Sequence, residues 1–184
     1  PQLGTEAYAR LYDRHRLLGP RTVLAHGVHL TDGEMELLAR RRVVLAHCPT
    51  ANRALGSGRL PLERIRRHGL RWCLGSDVGA GTDPCMLDAV RGLLEVHRGR
   101  AAVTATEGYY RASLAGADAL GFGRRRGALL PGRSADFLLV EPRPQRVRGA
   151  EGAIRAWIER GESEVWADVV GRLALAGRFT DEVR

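Results

Sequence analysis

The 184-residue sequence predicts an α/β protein built on parallel strands. Three short apolar runs, at 22–26, 43–47 and 70–75, alternate with segments that have helical periodicity. Each run ends on, or is soon followed by, a polar side chain, namely His26, His47 and Asp77. Because parallel strands place their carboxyl ends at one rim, we expect these three residues to share that rim.

Composition supports a globular protein and excludes several functions. Hydrophobic residues make up 44% and charged residues 27% of the chain. The net charge is +8, and arginine takes the place of lysine throughout the sequence. The arginines are scattered rather than clustered on one predicted face. With only 5% aromatic residues, specific nucleic-acid binding is not predicted. Neither a membrane-spanning run nor a secretory leader is recognisable, so we predict no membrane association.

Cysteine usage indicates a reducing compartment. Cys48, Cys73 and Cys85 are odd in number and form no C-x-x-C motif, which is typical of reduced thiols in a cytoplasmic protein. A zinc site made only of cysteines is not predicted.

The first elements alternate in the order helix, strand, helix. Residues 6–18 have helical spacing and end at a Gly-Pro pair, and 22–26 form a β-branched, apolar strand. Thr31 with Glu34 three residues later predicts a capping box that opens a helix reaching about Arg41.

The next strand, 43–47, is buried and hydrophobic, and 48–52 are predicted to turn out of it. A helix over 62–68 and a strand over 70–75 follow. The strand leads to Asp77 and a glycine-rich loop, which lacks the lysine and the spacing of a phosphate-binding loop.

Beyond this loop the pattern changes near residue 122, which predicts two parts, 1–122 and 123–184. The first part ends with helices over 85–96, 106–114 and 115–120, with Thr104 as an N-cap. The second part has shorter elements, with strands predicted over 135–140, 165–170 and 172–179 and a helix over 151–160.

His26 and Asp77 are the candidate catalytic residues. A carboxylate that closes a buried strand needs a partner or a metal, because burying an unpaired charge is costly. An acid and an imidazole at neighbouring strand ends suit a divalent metal, which lowers the pKa of a bound water to about 7. The alternatives are a helix N-cap for Asp77 and a hydrogen-bonded buried histidine for His26.

Other polar residues have less specific signals. His47 could contact substrate at the rim or serve a structural hydrogen bond, and Asn52 could contact substrate or only turn its loop. A packing or capping role is favoured for His29. The remaining histidines lie on predicted helices among charged residues, so we expect surface positions for His15, His68 and His97.

Several motifs, taken in order, resemble the amidohydrolase superfamily. They are LAHGVHL at 24–30, AHCPTAN at 46–52 and LGSDVGAGT at 74–82, and LPGRSADF at 130–137 resembles the start of the small β-sandwich of that superfamily. LGSG at 55–58 and the spacing from Asp77 to Met86 resemble the guanine deaminase branch. The match covers roughly residues 20–142.

The resemblance implies strands 6–8 of a distorted TIM (β/α)8 barrel and part of the sandwich. It implies that Asp77 ligates the metal and carries the proton of the attacking water, and that His26 contacts the metal-bound hydroxide or the substrate. His47 would end strand 7. The implied metal is zinc, with iron as an alternative, and the implied full-length protein is a homodimer.

The implied reaction is hydrolytic deamination of an aminopurine or related heterocycle, most specifically guanine to xanthine and ammonia. The sequence contains neither the His-x-His nor the His-x-x-Glu motif of the superfamily, so strands 1–5 and the other ligands are expected before Pro1. These 184 residues alone are therefore expected to be inactive. The alternative is a non-catalytic half-barrel that associates with a partner.

Overall fold

A three-stranded parallel sheet flanked by helices forms the centre of the protein. The computed structural model describes residues 8–81, 85–134, 136 and 148–159. Within these residues the strands are β1 (Val23–Ala25), β2 (Val44–His47) and β3 (Arg71–Leu74). The helices are α1 (Tyr8–Arg14), α2 (Asp32–Arg40), α3 (Pro49–Ala54), α4 (Leu62–Arg67), α5 (Met86–His97), α6 (Ala105–Ala112), α7 (Leu114–Ala119) and α8 (Gly149–Glu159).

The strands are hydrogen-bonded in the order β1-β2-β3, and all pairs are parallel. Ala25 is paired with Ala46, and His47 with Leu74. This register brings the carboxyl ends of all three strands to one rim, as the sequence predicted.

The two faces of the sheet pack differently because side chains alternate along a strand. Leu45, Trp72 and Leu74 join the main hydrophobic core with residues of α2, α4 and α5. Val44 and Cys73 point to the opposite face, where a smaller cluster includes two alanines of α7.

Most predicted elements are confirmed, with boundaries that differ by a few residues. Thr31 and Glu34 form the predicted capping box, and the Thr104 hydroxyl accepts the Glu107 N–H at the start of α6. The turn predicted over 48–52 was wrong, since these residues contribute to helix α3. Pro49 begins this helix at a position where a missing N–H costs nothing.

Within the second predicted part the structure describes residues 123–134, 136 and 148–159, and α8 confirms the helix predicted near 151–160. The strands predicted at 165–170 and 172–179, and all of the one at 135–140 except Asp136, lie outside the described residues. Ile158 of α8 is buried in the main core. The Glu151 carboxylate accepts the N–H groups of Ala105 and Thr106, so it caps the first turn of α6.

None of the described helices has the length and apolar character needed to cross a membrane. The three cysteines are free thiols, as the sequence predicted.

His97 corrects the prediction of a surface histidine, because its side chain is only 1% exposed. Its Nε2 lies 3.3 Å from the Nε2 of His47, which is fully buried. Helical periodicity explains the error, since His97 lies seven residues after Val90 on the buried face of α5. His15 is exposed, and half-buried His68 lies 2.9 Å from an Asp32 oxygen.

The buried histidine pair is held in its neutral form. Burial, followed by the nearby charges of His97 and His26, lowers the pKa of His47 to about 3. Burial, followed by Arg59 and Arg66, lowers the pKa of His97 to about 4. The unfolded chain therefore binds more protons than the folded protein between about pH 4 and the ordinary histidine pKa of 6.5.

We predict that stability falls as the pH is lowered through this window, by about 2–3 kcal/mol per buried histidine between pH 6.5 and 4.5. His97→Phe removes one of the two groups and should flatten this dependence. Urea unfolding followed by circular dichroism at several pH values measures the slope. His15→Gln, at an exposed position, serves as the control, and an unchanged acid slope in His97→Phe would contradict the prediction.

Candidate metal centre

His26 lies directly after β1 and is fixed by the backbone ladder. Its backbone N–H donates to the carbonyl of Ala46 at 2.9 Å, which continues the pairing of β1 with β2 by one residue. Its φ is +69°, in the left-handed region that bulky side chains seldom adopt. The imidazole is half-buried at the rim.

Asp77 follows β3 in a tight loop and also has a positive φ, of 55°. Its carbonyl accepts the N–H groups of Ala80 and Gly81. A Cβ at position 81 would lie 2.0 Å from the carbonyl oxygen of Ser76, so glycine is required for this close approach. The loop thus holds Asp77 in a conformation that costs of order 1–3 kcal/mol and that is common at functional sites.

The two side chains face each other across the rim. His26 Nε2 lies 3.7 Å from Asp77 Oδ2, which is too long for a direct hydrogen bond and short enough for one shared atom between them. The side chains are 39% and 29% exposed, so a ligand can reach them from solvent. The structure therefore brings together the two residues that the sequence singled out.

Asn52 contacts the other side of the imidazole. Its Oδ1 lies 2.8 Å from His26 Nδ1, across 26 residues of sequence. Helix α3 carries Asn52 to this position, and the side chain is only 2% exposed. Its predicted contact with substrate remains a prediction.

Cys48 is the residue that sequence reasoning missed. One ligand atom each of His26, Cys48 and Asp77 lies within 4.8 Å of the others, a grouping able to hold a metal ion. Burial, followed by the Asp77 charge, raises the pKa of the Cys48 thiol to about 11. Since the thiolate is the metal-binding form, this thiol is poorly prepared as a ligand. Side chains alternate between the two faces along β2, and continuing this alternation past Ala46 could have indicated the position of Cys48.

His47 lies at the end of β2 but points to the other face. It follows Leu45 by two residues, so its side chain enters the helix-covered core and packs against Trp72 and His97. The predicted substrate contact of His47 has no supporting contact among the described residues and remains a prediction. His29 is exposed and lies outside the group of three.

Comparison with known proteins identifies the family to which this fold belongs. The model of the amidohydrolase family matches residues 3–170, and the chain belongs to this family. Among curated relatives, a probable guanine deaminase of Deinococcus radiodurans is 39% identical over 146 residues, which cover 76% of this chain and 33% of the relative. The chain thus spans about a third of the length of the curated relatives it matches.

Two solved structures share the fold. The E. coli guanine deaminase aligns with a TM-score of 0.80 and 30% identity, covering 86% of this chain and 40% of that one. An adenosine deaminase of Xanthomonas campestris, solved with bound zinc, aligns with a TM-score of 0.66 and 35% identity, covering 73% and 32%. Both alignments agree with the α/β architecture and the parallel sheet described above.

We predict that the backbone of Asp77 makes asparagine a better replacement than alanine. Asparagine tolerates a positive φ, whereas alanine does not, so Asp77→Ala should be less stable than Asp77→Asn by about 1 kcal/mol. Chemical denaturation of both variants measures this difference.

Glu36, exposed in the middle of α2, provides the matched control. There the helix favours alanine over asparagine by about 0.5 kcal/mol, so the order of the two variants should reverse. The same order at both positions would contradict the role assigned to the left-handed backbone of Asp77.

Proposed function

We propose that this chain forms part of a metal-dependent hydrolase that deaminates an aminated purine, with guanine and water giving xanthine and ammonia. The observation that carries the proposal is the distance of 3.7 Å between His26 Nε2 and Asp77 Oδ2. These residues follow β1 and β3, the two parallel strands on either side of β2. Residues outside these 184 supply the remaining metal ligands and most of the purine pocket. The coverage of about a third of the curated relatives supports this division.

The donor chemistry fits zinc, with iron as the alternative. Carboxylate and imidazole are both common zinc ligands, and two ligands about 2.1 Å from a tetrahedral ion lie roughly 3.4 Å apart. The separation of 3.7 Å between His26 and Asp77 agrees with one ion or its water between them. Asp77 would hold the metal, which when bound lowers the pKa of a water to about 7 and provides a nucleophile at neutral pH.

Asp77 and His26 then have distinct tasks in the hydrolysis. The Asp77 carboxylate accepts a proton from the attacking water as the new C–O bond forms at the amino-bearing carbon. His26 Nε2 accepts a hydrogen bond from that water and so orients it. The C–N bond breaks when Asp77 passes this proton to the amino nitrogen, so that ammonia leaves and the carboxylate is restored.

Similarity to guanine deaminases favours guanine over other aminated heterocycles. The curated relative at 39% identity and the solved structure at a TM-score of 0.80 are both guanine deaminases. Adenosine is the second candidate, because the structure at 35% identity is called an adenosine deaminase. We further propose a cytoplasmic homodimer for the full-length protein.

We expect Asp77→Asn to abolish turnover in the full-length gene product that contains this chain. The amide keeps the shape and the backbone conformation but loses the charge and the proton acceptor, so kcat should fall by about 10³ or more. Ammonia release from guanine and from adenosine measures this and identifies the substrate. Glu36→Gln, on the exposed face of α2, should retain full activity, and retained activity in Asp77→Asn would exclude the assigned role.

The 184 residues by themselves should show no turnover even with added zinc. A catalytic zinc has about three protein ligands, and Asp77 and His26 supply at most two. To test this, the purified chain is incubated with zinc and guanine, and the release of ammonia is measured. Full activity would contradict the need for outside ligands, and would make the buried thiol of Cys48 the candidate third ligand.

A further inference from the structure

We infer that Asn52 is a positioning residue that fixes the tautomer of His26, so that the Nε2 lone pair faces Asp77. The inference rests on the proposed function for its catalytic meaning. Its structural content, which nitrogen of His26 carries the proton, is independent of any activity.

The hydrogen bond to Asn52 determines the protonated nitrogen. Asn52 Oδ1 can only accept, so the imidazole must donate from Nδ1 across the 2.8 Å contact. In a neutral imidazole the other nitrogen is then an acceptor. His26 Nε2 therefore presents a lone pair to the carboxylate oxygen 3.7 Å away.

Two acceptors that face each other require a donor or a cation between them. The Asp77 carboxylate is an acceptor when ionised, and a lone pair on His26 Nε2 adds a second acceptor. A water, a substrate N–H or a metal ion satisfies both, whereas a second acceptor atom satisfies neither. The opposite tautomer would direct an N–H at Asp77 and fill this space with a proton that opposes the approach of a cation.

The surroundings of Asn52 support a role that folding alone does not require. Its Nδ2 is buried and has no hydrogen-bond partner among the described residues. Such a group costs about 1–3 kcal/mol, which an apolar side chain of the same size would avoid. The stabilising contact that the amide does make is the one to His26.

Helix α3 provides the rigidity that such positioning needs. Asn52 donates its backbone N–H to the Cys48 carbonyl, and its own carbonyl accepts the Ser57 N–H, both at 2.9 Å. Gly92 of α5 lies so close to α3 that an added Cβ would be 2.8 Å from the Thr50 methyl group. The close packing of α5 on α3 thus fixes the distance from Asn52 to the rim.

The test observes the tautomer directly, by long-range ¹H–¹⁵N NMR of His26 in the metal-free chain at a pH where the ring is neutral. The wild type should show a protonated Nδ1 and an unprotonated Nε2. Asn52→Leu, which keeps the volume, should shift His26 toward the Nε2-protonated form. Asn52→Asp keeps the acceptor and should retain the wild-type pattern.

Thr50→Val is the matched control on the same helix, since this buried residue packs beside Gly92 of α5. It should leave the His26 tautomer unchanged. An unprotonated Nδ1 in the wild type, or an unchanged tautomer in folded Asn52→Leu, would overturn the inference. If Asn52→Leu does not fold, the wild-type spectrum together with Asn52→Asp still decides it.

Kinetics of the full-length gene product separate positioning from substrate contact. A residue that sets a catalytic tautomer lowers kcat by about 10²–10⁴ with little change in KM. Asn52→Leu should behave in this way, and Asn52→Asp should restore most of kcat. A rise in KM alone would instead support the substrate contact predicted from the sequence. Failure of the wild type to deaminate any purine would refute the proposed function but leave the tautomer result intact.

Discussion

The backbone ladder between the three parallel strands is the constraint on which the rest of the site depends. It continues past the strands, through the hydrogen bonds from His26 to Ala46 and from Gly75 to His47. These bonds fix the residue at which each chain segment leaves the sheet. Because side chains alternate, one residue of displacement would exchange the site face for the core face. The position of Asp77 opposite His26 is therefore set by register before any side-chain contact is made.

At the rim the chain accepts conformations that folding alone would avoid. His26 and Asp77 both have a positive φ, and the amide nitrogen of Asn52 is buried without a partner in the described part of the chain. Each feature has a cost of order 1–3 kcal/mol. All three belong to His26 or to a residue whose side chain lies beside its imidazole. This concentration of unfavourable features supports a functional role for this part of the rim more strongly than any one of them would.

Strand β1 lies at an edge of the described sheet. Its residues are more exposed than those of β2, and Val23 is 37% exposed. β2 is paired on both sides, whereas β1 and β3 each have one neighbour within the described residues. An edge strand has a neighbour on one side only, which leaves one row of its backbone groups unpaired within the described sheet.

The sequence by itself determined the alternation of strands and helices, the shared rim and the pairing of His26 with Asp77. These follow from local patterns: apolar runs, a capping box, and polar residues at strand ends. The helix at 49–54 was not predicted because AHCPTAN combines turn residues with a Pro that is equally suited to open a helix. Two other features depend on the face that a residue occupies once its element has ended or packed. They are the position of Cys48 beside His26 and Asp77 and the burial of His97.

Only the tertiary structure decided how the polar residues divide between the two faces. His47 and Cys48 are adjacent in sequence, yet one packs against His97 in the core and the other lies beside His26 and Asp77. Asn52 reaches His26 because a short helix, rather than a loop, follows β2. Local sequence patterns fix the order of these elements, but distances between side chains 26 or 50 residues apart come from packing, which no local pattern contains.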